Sequence, residues 1–351
     1  MHVDQSRFWV TSAVDVARNH VDSPVLASIL AIGWLPIALS IVAIDTSEAT
    51  VLFVVAQTLA ALMVVFGPFD VWYYYRRLLP AFFENVDDIV EPGQDDELRA
   101  LAEKYDRFFT QRWWAITLPW TLLVVLVFFA SEGHIANQGI TSPVEYTAYF
   151  GFFVYWGLFS GLGFHGGLLT VRLIKEFSEE IDLEIDPLYP DGLGGLSLVG
   201  QFAIRTTLIL STGSLAMPLS FELASQIGLA EAVYLGVGLY VVLIALVFIY
   251  PTYKVNRRAQ RLREDVLEEY RTKIRRLEAE LAKLEAAGRP GASLEESHSL
   301  YLEIDRTRQE FRDFRDVQLY PLSVSILIQL LSSLFLPVLF IIFDIYLSRL
   351  I

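Results

Sequence analysis

From Pro251 to Tyr320 the chain reads PTYKVNRRAQRLREDVLEEYRTKIRRLEAELAKLEAAGRPGASLEESHSLYLEIDRTRQEFRDFRDVQLY, a charged stretch joining one long apolar run directly to the last. Its apolar positions Val255, Ala259, Leu262, Val266, Tyr270, Ile274, Leu277, Leu281 and Leu284 step by three or four residues, the spacing of a coiled-coil seam. The added steps of four form a stutter, which locally unwinds such a seam. Between Ala287 and Ala292 stand Gly288, Pro290 and Gly291, all poor helix formers, and Ser293 with Glu296 has the spacing of a capping box. A return helix is expected there, with Leu294, Tyr301, Ile304, Phe311 and Phe314 on its inner face and Pro321 as its end. The stretch reads as a helical hairpin whose outward arm projects on the order of 50 Å at 1.5 Å per residue.

On either side of the hairpin the chain is apolar. Hydrophobic residues make up 54% of the sequence, and several runs approach the ~20 residues that a helix needs to cross a bilayer. These runs are Pro24 to Ile44, Val51 to Phe69, Ala115 to Ala130, Thr147 to Val171, Thr206 to Ala224, Ala230 to Tyr250 and Leu322 to Leu347. The fold expected is all-α: a polytopic helical membrane protein with seven transmembrane helices, cytosolic helical extensions and a long coiled-coil hairpin. In domain terms, residues 1–23 form a short amphipathic helix with Trp9, Ala13, Val16 and His20 on one face, and no signal peptide is expected there. Residues 24–250 carry six spans with cytosolic loops at 70–114 and 172–205. Residues 251–320 form the hairpin, and 321–351 the seventh span.

Basic residues set the orientation. The connections 45–50, 131–146 and 225–229 hold no Lys or Arg, whereas those beginning near Asp70, Arg172 and Pro251 hold nearly all of them. The N-terminus is therefore expected in the cytosol and the C-terminus outside the cell membrane. Trp72, Tyr73, Tyr74 and Tyr75 at the end of the second span, and Trp113 and Trp114 at the start of the third, are expected in the headgroup layer. Between Asp95 and Phe109, Leu98, Leu101, Tyr105 and Phe108 share a face, which reads as a helix packed on protein rather than on acidic lipid. Net charge is −14, and only five of the 27 basic residues are Lys, a balance suited to the saline cytoplasm of a halophile. Without Cys there are neither disulfides nor thiolate metal sites.

Candidate functional residues lie in the spans. Ser325, Gln329, Ser332 and Ser333 make a polar stripe on the seventh, and Thr207, Ser211 and Ser214 a similar one on the fifth, before Pro218. Such stripes either line a hydrophilic pore or bond helix to helix. Gly157, Gly161, Gly163 and Gly167 in the fourth span form two Gly-xxx-Gly pairs and read as a close helix crossing. His165 reads as a titrating gate residue or as a side chain bonded quietly to a neighbour. Arg205 reads as an interfacial cation or a voltage or anion sensor. The turn around Asp186 and Asp191, with two prolines and three glycines, is a structured linker, and no calcium-loop register marks it as a metal site. No hydrolase, zinc-protease or phosphate-loop motif is present, so neither an enzyme nor a cofactor is expected.

In layout the chain resembles the seven-helix insect odorant and gustatory receptor channels. The shared features are an internal N-terminus, an external C-terminus, cytosolic extensions of helices four to six, and a seventh element split between cytosol and membrane, here at Pro321. Where the gustatory members carry Thr-Tyr, five apolar residues and Gln-Phe, this chain has Leu322-Ser323, Val324 to Ile328 and Gln329-Leu330, keeping the Gln. The resemblance implies a tetrameric cytosolic anchor, a pore lined by Ser325, Gln329 and Ser332 or Ser333, and gating by a small-molecule ligand. The function expected is a homo-oligomeric, cation-permeable membrane channel. The rival is a non-conducting sensor or scaffold whose hairpin binds a cytosolic protein, and a transporter stands third. No nucleic-acid partner is expected.

Overall fold

The computed structural model describes residues 8–44, 48–182, 197–224, 230–287, 293–316 and position 339, and apart from an isolated bridge at Val90 its regular structure is helical. Helix α1 (Trp9–Arg18) buries Val10, Thr11 and Val14. Val16 of the apolar stripe read from the sequence is 63% exposed and Trp9 is 40% exposed, so that stripe is the outward face. Helix α2 (Pro24–Ala43) starts at Ser23, whose hydroxyl accepts from the Leu26 amide, with Pro24 in the first turn where its missing N–H costs nothing.

Helix α3 (Val51–Val86) continues well beyond Phe69, where the sequence placed its end. The aromatic residues expected to face headgroups are largely covered by protein: Trp72, Tyr74 and Tyr75 are buried, and Tyr73 is half-buried. Tyr75 donates to Asp106 at 2.5 Å, and the hydroxyls of Tyr74 and Thr170 are 2.7 Å apart. Pro80 has no N–H to return to the carbonyl four residues back, and the helix widens to a π turn at Tyr74–Leu78. The loop expected over 70–114 is thus mostly helix, because α4 (Asp95–Gln111) follows soon after. Asp95, Asp96 and Glu97 complement its N-terminal dipole, and Leu98, Leu101, Tyr105 and Phe109 form its buried face.

Helix α5 (Trp114–Ala130) leads through a short turn of helix to α6 (Pro143–Glu180), which opens with a full capping box of Ser142 and Glu145. Helix α6 is the central strut, packed by α2, α3, α5, α7 and α8. Helix α7 (Leu198–Leu223) is interrupted by a 3₁₀ segment at Thr212–Ala216. Helix α8 (Ala230–Ala287) is continuous over 58 residues, about 87 Å at 1.5 Å per residue.

Among the described residues five helical stretches are long and apolar enough to cross a membrane: α2, α3, α4 with α5, α6 and α7. The sixth expected span falls on the start of α8, where Tyr234–Val247 is apolar. The seventh, Leu322 to Leu347, lies outside the described residues. Outward-facing Ile41 (74% exposed), Val51 (81%), Leu122 (60%) and Leu235 (66%) give these helices an apolar exterior suited to hydrocarbon. The chain is a helical membrane protein.

Helix α9 (Ser293–Asp316) packs along the distal half of α8. Leu277 and Leu281 close on Ile304 with Leu300 beside them, whereas Tyr301, expected inside, is 51% exposed. Arg308 pairs with Glu278 at 2.7 Å across the seam. The base of this rod belongs to the main core through Leu267 and Phe314, and Lys254 on α8 holds Glu179 at the end of α6 at 2.7 Å.

Candidate functional site

The site begins with a broken helix. Pro218 supplies no amide to the carbonyl of Ser214, and the chain just before it tightens into the 3₁₀ segment Thr212–Ala216. The tightening turns the Thr212 hydroxyl onto the carboxylate of Asp70 in α3, at 2.9 Å, while Thr212 also bonds the Ile209 carbonyl. It also frees the Leu210 carbonyl, which Tyr240 of α8 reaches through its hydroxyl. Gly213 makes that approach possible, because a Cβ there would lie 2.8 Å from the Tyr240 oxygen.

Between these groups lies a cavity of about 140 Å³ walled by α3, α5, α6, α7 and α8. Its lining is apolar and aromatic. The ring centroids of Trp120 and Phe164 lie 4.2 Å apart in a tilted pair, and that of Phe164 lies 6.1 Å from Tyr240. The Ser160 hydroxyl is already engaged, accepting from the Trp120 indole at 2.8 Å and donating to the Trp156 carbonyl. Among the described residues Asp70 is the one charged side chain in the lining. It keeps part of its surface accessible, and that surface opens onto the cavity. Among the described residues Thr212 is its hydrogen-bond partner, and no Lys or Arg pairs with it. An ionisable group inside a membrane helix is costly unless it serves a ligand, ion or proton.

The residues singled out from the sequence are placed as follows. Ser325, Gln329, Ser332 and Ser333 lie outside the described residues, as do Asp186 and Asp191. Asp182, beside them, is held by Gln94 through bonds of 2.9 and 2.8 Å. Thr207 and Ser214 are buried inside the chain, with hydroxyls satisfied by the carbonyls of Ala203 and Ser211, and half-buried Ser211 bonds that of Leu208. Their stripe thus points largely into the protomer, not onto an open face.

The glycines of α6 serve two faces. A Cβ on Gly157 or Gly161 would meet the backbone Cα of Thr121 or Thr117 of α5 at 2.9 or 3.0 Å, while Gly163 and Gly167 face Leu210 of α7. His165 is fully buried, stacked 5.5 Å from Phe108 with Phe109 also beside it. Arg205 is on the exposed face of α7.

Sequence reading passed over Asp70 because it follows the apolar run Val51 to Phe69 and precedes aromatic and basic residues, the pattern of a membrane border. Thr212, Gly213 and Tyr240 gave no signal of their own. The trace that was present is Gly67-Pro68-Phe69-Asp70, a lone acid after two poor helix formers in an otherwise apolar run.

Compared with protein-family models, with curated proteins and with solved structures, the chain gives no match. Among the described residues no group of three or more His, Asp or Glu side chains is arranged to hold a metal ion.

Proposed function

We propose that this chain is a ligand-responsive membrane protein in which occupancy of the cavity beside Asp70 is passed along α8 to the helical rod. One observation carries the reading. Gly236, Val237 and Tyr240 line the cavity on the same continuous helix that runs to Ala287 and forms half of the rod. A stiff helix held by Tyr240 at one end and by Lys254 and Leu267 farther along turns a small displacement at the cavity into movement of the rod. With the orientation read from the basic residues, the rod stands in the cytosol, where it binds a protein partner or a second copy of itself. The conducting form of the proposal is a homo-oligomer, with tetramer the favoured stoichiometry, in which rod movement gates a pore containing Ser325, Gln329, Ser332 and Ser333.

The test is amide hydrogen exchange across residues 260–316 in nanodiscs, for the parent protein and for Gly236→Leu. Gly236 lines the cavity, and a Cβ there meets nothing within 4 Å among the described residues, so the substitution adds bulk at the cavity wall without displacing backbone. Changed protection in the rod supports the proposal, and identical protection refutes it. Bilayer recordings on the same preparations separate the outputs, since unitary currents establish a pore and silence leaves the partner-binding rod.

A further inference from the structure

We infer that the ligand of this cavity is a small lipophilic amine bound as its cation, with the ammonium group on the Asp70 carboxylate and the apolar body against the rings of Trp120, Phe164 and Tyr240. The inference rests on the cavity being the sensing site proposed above, and it adds the chemistry of what is sensed.

Each part follows from the lining. A neutral apolar guest would fill the space but offer no polar group to Asp70, whose partner among the described residues is the Thr212 hydroxyl. An anion would meet the like charge of Asp70. A bare divalent cation requires about six oxygen ligands, and calcium sites draw on several carboxylates and carbonyls. Among the described residues the lining holds one carboxylate, while the Ser160 hydroxyl is committed to Trp120 and Trp156. An organic ammonium fits what remains. It needs one strong acceptor, takes further stabilisation from the electron-rich faces of Trp and Tyr, and carries its own apolar surface to cover the walls. The volume, about 140 Å³, suits a single-ring or short-chain amine rather than a lipid or a dinucleotide. The amine arrives with the charge that Asp70 lacks among the described residues. Binding and neutralisation are then one event, sensed beside the Tyr240 contact to α7 and hence by α8.

The experiment uses the full chain in neutral-lipid nanodiscs, with calorimetry and tryptophan fluorescence as readouts, because Trp120 and Trp156 both line the cavity. Benzylamine is compared with benzyl alcohol and benzoate. The expected order in the parent protein is benzylamine tightest and benzoate undetectable. Asp70→Asn, which keeps the shape of the side chain, should weaken benzylamine on the order of a hundredfold, the loss typical of removing one member of a buried charge pair, and leave benzyl alcohol nearly unchanged. Benzylamine binding no tighter than benzyl alcohol to the parent protein overturns the inference, and needs no variant to fold. Equal benzylamine affinity in the parent and a folded Asp70→Asn overturns it as well. Failure of the signalling reading looks different: benzylamine binds in an Asp70-dependent manner, upholding the ligand class, yet rod protection does not change. Conversely, a rod that responds to Gly236→Leu while benzylamine fails to bind overturns the amine alone.

Discussion

Replacing glycines of α6 by alanine one at a time tests whether the helix crossings are as close as described. At Gly157 the added Cβ would sit 2.9 Å from the Thr121 Cα, and at Gly161 it would sit 3.0 Å from the Thr117 Cα. Ordinary contact begins near 3.4 Å, so α5 must retreat by roughly half an ångström, and a backbone atom cannot rotate aside. Overpacking of this kind costs about 1–3 kcal/mol, partly offset by the ~1 kcal/mol that alanine gains over glycine inside a helix. The net expectation is a loss of about 0–2 kcal/mol at each position. At Gly163 the nearest atom is a Leu210 methyl at 3.9 Å, so Gly163→Ala keeps the helix gain with no clash and should stabilise by up to about 1 kcal/mol. Gly167→Ala meets another Leu210 methyl at 2.9 Å, the end of a side chain that can turn away, and should fall between. Equilibrium unfolding of the four variants in mixed micelles gives the ranking. Gly163→Ala no more stable than Gly157→Ala would refute the crossing geometry.

Other outcomes follow from the rod and the N-terminal helix. Leu277→Ala with Leu281→Ala removes the seam against Ile304 and should cost about 2–5 kcal/mol per site locally, seen as lost amide protection in residues 270–310 with the membrane helices unchanged. Asp15 accepts from the Trp72 indole at 2.8 Å and pairs with Arg76 at 2.7 Å, both partly exposed. Asp15→Asn should therefore cost only about 1 kcal/mol, with faster exchange confined to α1. In alkali the rod base should loosen. The bond to Glu179 raises the Lys254 ammonium above its ordinary 10.5, and burial, aided by Glu310 and Glu269, raises the Tyr270 hydroxyl above 10.0. Both folded values lie above the unfolded ones, so this contribution is complete below about pH 10 and is lost as pH rises through the folded values. Rod exchange rates, corrected for intrinsic chemistry, should be flat from about pH 6 to 9 and rise only beyond.

Apolar length and heptad spacing carried most of the fold in the sequence. The run from Ala230 and the seam from Val255 to Leu284 fall on a single helix because both patterns obey the same 3.6-residue period and no breaker separates them. What local pattern could not show was where a helix stops when its polar end is buried. Tyr74 finds the Thr170 hydroxyl and Tyr75 the Asp106 carboxylate inside the protein, so α3 runs on to Val86 with its polar end buried. The same tertiary burial carries Asp70 from an apparent border into the bundle. The site needed five helices to converge, and its decisive contact joins residues 142 positions apart, Asp70 and Thr212. The hydroxyl stripes left two readings open for a related reason. A Ser or Thr in a helix can satisfy itself on the carbonyl three or four residues back, as Thr207 and Ser214 do, so its presence does not imply water.

The central claim, that the cavity drives the rod through α8, is tested most directly by a distance measurement between spin labels. The chain has no cysteine, so Lys175→Cys on α6 and Glu269→Cys on α8, both at exposed positions, label cleanly. Labelled protein is diluted into unlabelled protein in nanodiscs and measured with and without Gly236→Leu. A shift of the distance distribution by about 2 Å or more, the scale of helix movements in switching proteins, is the result the account predicts. Superimposable distributions in the folded variant would contradict it.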